Sequence, residues 1–367
     1  MTGLTLEVDG RRWKGWKEVR VTRGLDRAAS DFEIAVTEKW PGQAEPWPLG
    51  PGQPCNVLLD EEPVITGHID SYEPSFDRAA HGVRIAGRSK TADLVDCGAL
   101  VKGGQYRNYG IDAIARALCQ PFGIEVVMES AAGKRFADVQ IQPGETCFEL
   151  IERLCRLRAL LASDDARGRL VLTRARAGSR PRTEPLEQGV NILAASAALS
   201  HAARFSDYHV RGQQAGTDNL FGAAASQPAA HVKDAAVKRY RPRLVLAEAQ
   251  GGGASFKKRA EWERAAAAGK GTAVTVSLAG WRQSTGALWE PGHVAPVRAP
   301  WLGLDRDLVI LTVEQRLGND GAYTNLRLVP EEALLPEPPD GDPATAGDGT
   351  AGRGGLYNVV PLPGGSS

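Results

Sequence analysis

The sequence predicts a mainly β protein in which an α+β module lies between two β-barrel domains and a disordered tail follows. A β pattern occurs near the start and again near the end, and apolar residues alternate around both copies. The intervening segment instead has apolar residues at helical spacing. The expected boundaries are 1–90 for the first barrel, 91–178 for the α+β module, 179–335 for the second barrel and 336–367 for the tail.

The repeated β pattern runs from Pro51 to Ser89 and again from Pro291 to Val329. Each copy contains a Pro-Gly pair, an apolar strand, an acidic turn, a second strand, a polar turn and a third strand. Few residues are identical, so the similarity lies in the order of the elements. A trimer of a chain with two similar units would present six similar surfaces, which could match a six-fold partner.

The first region shows β-strand signals throughout. Apolar residues alternate over 4–8 and 32–36, as expected of strands with one buried face. The pair Asp9-Gly10 suits a tight hairpin turn. The segment 23–30 is too long for such a turn, and we expect it to form a loop.

The middle region has the pattern of a small α+β module. Helical spacing predicts a helix over 111–119 that stops at Pro121, and a second helix with Thr146 as its N-cap. The segment Gln142–Arg156 resembles the first half of a LysM module, a family that binds peptidoglycan or chitin. The second helix of that family is expected to be short or missing here, because a closing strand at 170–172 follows soon.

The composition argues against several functional classes. Lys plus Arg equals Asp plus Glu, 44 each, so no positive excess favours nucleic acid or a membrane surface. No apolar stretch is long enough to span a membrane, and no charged-then-apolar leader opens the chain. The five cysteines lack CxxC spacing, and we expect them to be reduced core residues.

No motif predicts a catalytic, cofactor or metal site. The six histidines are scattered, without an HExxH motif or a close pair at ligand spacing. No GxSxG motif is present, and Ala265–Thr272 differs from a phosphate loop at two required positions. The sequence therefore predicts a protein that is not an enzyme and binds no cofactor or metal.

The order of these regions resembles the baseplate hub proteins of Mu-like contractile phage tails, the tail protein P family. Its most specific parts are 23–32, within VTRGLDRAASDFEIAVTEKWP, and 67–99, which begins GHIDSYEPSFDRAAHGVRIAGRS. The resemblance covers about Leu4 to Pro330. It implies a homotrimer in which two tube-protein-like barrels per chain form a pseudo-six-fold ring.

The resemblance also implies the partners of such a ring. It would join the hexameric tail tube to the trimeric central spike and contact other baseplate proteins, while DNA passes through its channel without specific binding. The protein would be a virion component, assembled in the cytoplasm of the bacterial host and without a membrane anchor. A hub of a related injection machine would do the same physical work.

Two sets of residues are candidates for contact with partners. The expected interface positions lie in the loop 23–30 and at three tryptophans: Arg23, Leu25, Asp26, Arg27, Ser30, Trp281, Trp289 and Trp301. Ordinary core packing is the alternative for the tryptophans. The tail contains one apolar island that could dock by adding a strand to a partner, with Leu356, Tyr357, Val359 and Val360 as its candidate contacts.

A second functional class remains open from the sequence. The LysM-like segment could bind peptidoglycan, which would make the chain a cell-wall-binding or wall-degrading tail protein.

Overall fold

The computed structural model describes residues 3–37, 48–76, 78, 81–158, 160–174, 180–212, 229–247 and 253–334. Taken together, the two predicted β regions have most of their described residues in strands, so the mainly β prediction is confirmed. The candidate docking peptide and the predicted disordered tail lie outside the described residues. None of the described helices is both long and apolar enough to cross a membrane.

The first β region contains β1 (Leu4–Val8), β2 (Arg11–Trp13), β3 (Glu18–Gly24), β4 (Asp31–Thr37), β5 (Pro54–Leu59), β6 (Glu62–Phe76) and β7 (His81–Ser89). The predicted hairpin is present between β1 and β2. Both of its turn residues, Asp9 and Gly10, have positive φ, which is the conformation that this pair tolerates best.

The α+β module contains helices α1 (Ala92–Asp96), α2 (Ile111–Cys119) and α3 (Cys147–Arg158) with strands β8 (Gln105–Tyr109), β9 (Val126–Met128), β10 (Phe136–Gln140), β11 (Leu161–Asp164) and β12 (Leu170–Thr173). Thr146 caps α3 as predicted. Its hydroxyl accepts a hydrogen bond from the N–H of Glu149, and the Glu149 carboxylate accepts one from the N–H of Thr146. Only residues 159 and 160 separate α3 from β11, which leaves no room for the second LysM helix.

The second β region contains β13 (Leu186–Glu187), β14 (Ile192–Leu199), β15 (Asp207–Gly212), β16 (Ala229–Lys233), β17 (Pro242–Ala247), α4 (Gly253–Lys270), β18 (Thr272–Ala279), β19 (Val294–Ala299), β20 (Leu304–Gly318) and β21 (Gly321–Val329). Strands β15, β16 and β17 form a separate small sheet, and α4 packs against it.

The two β regions form one continuous sheet. This 13-stranded sheet has the order β14-β18-β21-β20-β3-β4-β7-β6-β5-β1-β2, with β19 and β13 branching from β20. Two separate closed barrels were expected, but among the described residues no strand pair closes either half on itself. The reason is that β3, which would have to close the first half, pairs with β20 of the second half.

Each half of the sheet nevertheless encloses its own core. The first core is built from β1 and β3–β7, and the second from β13, β14 and β18–β21. The α+β module has a third core, to which α2 and α3 contribute their apolar faces. Four of the five cysteines are buried and all are free, as the sequence predicted.

Candidate assembly interface

The repeat predicted from the sequence is present as two matching three-stranded units. We call β5–β7 the first unit and β19–β21 the second unit. Their strands have the same lengths in the same order, 6, 15 and 9 residues. In each unit the long central strand pairs with the short strand over its first half and with the third strand over its second half.

The Pro-Gly pairs have the same role in both units. Gly52 and Gly292 have φ values of 84° and 85°, a backbone region that favours glycine. The N–H of Gly52 donates to the carbonyl of Ile69, and the N–H of Gly292 donates to the carbonyl of Ile310, both at 2.8 Å. These contacts fix Ile69 and Ile310 as equivalent positions, and a bulge follows each of them.

The second unit is joined to the first β region by antiparallel pairing of β3 with β20. We call this pairing the junction. Its register places Arg23 opposite Val313, Val21 opposite Gln315 and Val19 opposite Leu317. The junction covers the second half of β20, so Val313 and Gln315 are 0% exposed.

Arg23 anchors one end of the junction. Its side chain is buried, with 5% of the residue exposed. The guanidinium donates to both carboxylate oxygens of Glu290 at 2.8 and 2.9 Å and to the carbonyl of Trp289 at 2.9 Å. A charge-assisted pair of this kind is stronger than a neutral hydrogen bond. Nothing in the sequence pointed to Glu290, which is 267 residues from Arg23 along the chain.

The other loop residues that were expected to reach a neighbour bind within the chain. Asp26 accepts hydrogen bonds from Thr312 and Arg327 of the second β region. Arg27 pairs with Asp31, and Leu25 packs beside the second unit. The loop therefore fastens the two β regions of one chain to each other.

Ser30 fastens the same loop to the α+β module. Its N–H and its hydroxyl donate to the two carboxylate oxygens of Asp164 at 2.8 and 3.0 Å. Burial raises the pKa of the Asp164 carboxyl, and hydrogen bonds from Ser89 and Ser30 oppose that rise. Asp164 also lines a cavity of about 340 Å³ between the three regions, together with Arg23, Arg180 and His293.

The three tryptophans lie in different environments. Trp281 and Trp289 are almost fully buried, so both correspond to the core-packing alternative. Trp281 belongs to the core of the first β region, although it follows β18, and its indole N–H donates to the carbonyl of Arg316 at 2.9 Å. Trp301 lies in a 3-10 turn and is 87% exposed, so it alone of the three has an exposed ring.

The edge of β14 and the edge of the second half of β6 are open in the part of the chain that the structure describes. Beyond residue 69, β6 pairs only with β7, and β14 pairs with no strand except β18. Apolar side chains are exposed on both strands, with Phe76 at 83% and Leu199 at 60%. Unpaired edges with apolar side chains favour pairing with another strand.

In the repeat, β14 corresponds to β3 and the second half of β6 corresponds to the second half of β20. The two open edges thus correspond to the two strands that form the junction. Strands β3, β4 and β7 follow one another in the sheet, as do β14, β18 and β21. The registers place Ala195 and Ala197 of β14 at the positions of Val19 and Val21 of β3. Counted from Ile69 and Ile310, the second half of β6 corresponds to the second half of β20.

Family models match three parts of the chain. Residues 3–89 match the N-terminal domain of Mu phage baseplate assembly protein GpP-like, residues 91–174 match the second domain of baseplate hub protein gp44-like, and residues 252–337 match the fourth domain of Mu phage baseplate assembly protein GpP.

Whole-chain relatives agree with these matches. Baseplate hub protein gp44 of Escherichia phage Mu is 30% identical over 359 residues, which are 95% of this chain and 93% of that protein. The crystal structure of the 43 kDa tail protein of prophage MuSo2 from Shewanella oneidensis is 32% identical, with 91% and 99% of the chains covered and a TM-score of 0.80. A tail protein from Neisseria meningitidis MC58 is 22% identical, with 93% and 99% covered and a TM-score of 0.75.

Proposed function

Because the chain belongs to the family of Mu-like baseplate hub proteins, we propose that it is the structural hub of a phage tail baseplate. The observation that carries this proposal is the matched pair of three-stranded units joined at the junction. A hub of this kind acts by geometry, so the proposal assigns it no enzymatic activity. The proposed hub has a first β domain at 1–90, an α+β module at 91–178, a second β domain at 179–335 and a tail at 336–367.

The proposed assembly is a homotrimer with pseudo-six-fold symmetry. The junction joins the first β region to the second unit within one chain. Because β14 corresponds to β3 and β6 corresponds to β20, β14 of one copy would pair with the second half of β6 of the next copy in the same way. Three junctions and three such contacts would alternate around a closed ring, which leaves neither edge unpaired.

The junction also gives the register of the contact between copies. Val19 lies opposite Leu317 and Arg20 opposite Arg316, so Ala195 would lie opposite Phe76 and Ser196 opposite Ser75. Pro74 has no N–H, so this contact can lose one hydrogen bond relative to the junction. The exposed side chains of Phe76 and Leu199 would be covered on pairing, which favours association.

The ring would join the tail tube on one face to the central spike on the other and would sit in the virion baseplate after assembly in the host cytoplasm. Similar units around the ring would match a six-fold tube, while the α+β modules, one per chain, would keep three-fold symmetry. Trp301, with its exposed ring, is our candidate contact for one of these partners. The LysM-like segment lacks the second helix of that family, and no observation favours a cell-wall-binding function.

Cysteine cross-linking tests the register. We expect the variant with Ser75→Cys and Ser196→Cys to form covalent trimers under oxidising conditions, because directly opposed residues meet disulfide geometry. A matched variant with Ser75→Cys and Ala198→Cys should stay uncross-linked, because diagonal residues are about 7–8 Å apart. Single-cysteine variants control for the native thiols.

Sedimentation of the unmodified protein tests the trimer itself. If the protein is a trimer but gives no Ser75–Ser196 cross-link, the proposed register is wrong and the proposed trimeric ring stands. A protein that remains monomeric at micromolar concentration, alone and with the spike protein, would contradict the proposed hub.

A further inference from the structure

The small sheet of β15, β16 and β17 has one covered face and one open face. On the covered face, Val210 packs against Phe256 and Ala260 of α4. Residues two apart in a strand share a face, so Asp207, His209 and Arg211 of β15 lie on the opposite side from Val210. No residue of the sequence repeat or of the junction contributes to this open face.

Pairing of β15 with β16 brings two histidines together on that open face. His209 lies directly opposite His231 in the register, and their rings are stacked with centroids 4.4 Å apart and planes 6° from parallel. Asp207 precedes His209 by two residues and reaches the same place. One carboxylate oxygen of Asp207 is 2.8 Å from Nε2 of His231.

The three side chains each offer a ligand atom, and these atoms all lie within 4.8 Å of one another. A tetrahedral zinc ion has Zn–N and Zn–O distances of about 2.0–2.2 Å, so its ligand atoms lie about 3–4 Å apart. The nitrogen lone pairs of the two stacked rings lie in nearly parallel planes, so both imidazoles would rotate out of the stack to converge on one ion. All three ligands belong to paired strands, so the backbone holds them close before an ion arrives.

We propose that Asp207, His209 and His231 form a binding site for a divalent transition-metal ion of the zinc class. Two imidazoles and one carboxylate are a donor set that zinc and its first-row neighbours prefer over magnesium or calcium. Three protein ligands leave a fourth coordination position for water. A bound ion would fasten β15 to β16, two strands that the chain connects only through residues 213–228.

Neighbouring charges and solvent exposure determine the metal affinity that we expect of the site. Lys233 lies directly opposite Asp207 in the pairing of β15 with β16, so its ammonium adds positive charge beside the proposed site. The same positive charge opposes a bound cation. Side-chain exposure of 41% for His231 also leaves that ligand partly in water, so we expect a dissociation constant in the micromolar range.

Calorimetric titration of the full-length protein with Zn²⁺ tests the proposal. We expect one ion per chain, and roughly tenfold weaker binding or more after His209→Ala or His231→Ala, because a lost ligand is at least as costly as a lost outer-shell partner. Lys233→Ala should strengthen binding severalfold. His201→Ala is the matched control, since His201 is an exposed histidine outside the cluster.

Absorption of the Co²⁺-loaded protein identifies the ligands independently. The visible bands should indicate nitrogen and oxygen donors and should vanish in the two histidine variants. Thiolate charge-transfer bands, or Zn²⁺ binding that survives His209→Ala and His231→Ala in proteins with unchanged unfolding midpoints, would overturn the proposal. Absence of Zn²⁺ binding to the unmodified protein would overturn it as well.

Discussion

The central strands of the two units, β6 and β20, have the same length and the same bulge but different surroundings. The second half of β20 is covered by β3, so Val313 and Gln315 are buried. At the corresponding positions of β6, Tyr72 is half-buried and Pro74 is exposed. The difference shows that a repeated unit does not determine its own neighbours: β3 pairs with the edge of β20, whereas no described strand pairs with the same edge of β6.

The two units also differ in how their third strands pack. Gly87 of β7 occupies the position that Leu328 holds in β21. A Cβ at Gly87 would lie 2.2 Å from the carbonyl oxygen of His68 and 2.6 Å from the Phe32 ring, whereas Leu328 is a fully buried core side chain. At this position, packing in the first unit therefore requires a close approach of the backbone, whereas packing in the second unit requires a large side chain.

The largest expected effect is that of Gly87→Ala, which breaks the first unit only. Overpacking against a carbonyl and an aromatic ring should lower the free energy of unfolding by about 3 kcal/mol. Chemical denaturation followed by circular dichroism measures this loss. Gly98→Ala is the control, because a Cβ there meets no atom within 4 Å, and an equal loss in both variants would contradict the packing argument.

Removal of Arg23 should weaken the junction that distinguishes β20 from β6. Arg23→Ala leaves the carbonyl of Trp289 without its donor and Glu290 without its partner, at an expected cost of about 2–3 kcal/mol. Denaturation again measures the change. Arg84→Ala removes an exposed arginine that also pairs with a glutamate, Glu33, and should cost at most about 1 kcal/mol. A cost for Arg23→Ala no larger than that would refute the anchoring role.

The burial of Asp164, where the α+β module meets the first β region, should make stability depend on pH. The folded protein raises the pKa of Asp164, so this group contributes most below the ordinary carboxyl pKa. Its contribution is lost as the pH rises through the raised value. Asp164→Asn should remove this dependence, and denaturation between pH 4 and 7 would reveal it. Parallel curves for the two proteins would exclude Asp164 as the source.

The smallest effect on the isolated chain is expected at the open edge. Leu199→Arg changes an exposed residue of β14, so the free energy of unfolding should change by no more than about 0.5 kcal/mol. The same variant should abolish trimer formation, because it places a charge against the apolar edge of β6. Sedimentation separates these outcomes, and a trimer of undiminished stability would show that β14 is not at the contact between copies.

Local elements were largely predictable from the sequence. Alternating apolar residues located β1 and β4, and the helical spacing of 111–119 matched α2. Thr146 was identified as a cap because capping depends on residues within one turn. The repeat was visible despite few identities because its Pro-Gly turns and strand lengths are themselves local features.

Contacts between distant segments were not predictable. Arg23 was a candidate for contact with a neighbouring chain; within the chain, its guanidinium binds Glu290, which nothing in the sequence indicated. The histidines were judged to be scattered, yet β15 and β16 place His209 opposite His231. In both cases the partner is far away in the sequence, and only strand pairing brings the two together.

The sequence by itself determined the class of the fold, the two repeated units and the two longer helices of the inserted module, α2 and α3. Only the tertiary structure decided that the two β regions share one sheet, which edges remain open, and that Trp281 and Trp289 belong to cores. The physical reason is that apolar alternation specifies which face of a strand is buried, while the hydrogen-bonding edge is made of backbone groups common to every residue. The side chains of a strand therefore determine which of its faces is buried. Which strand pairs with each of its edges depends on the packing of the whole chain.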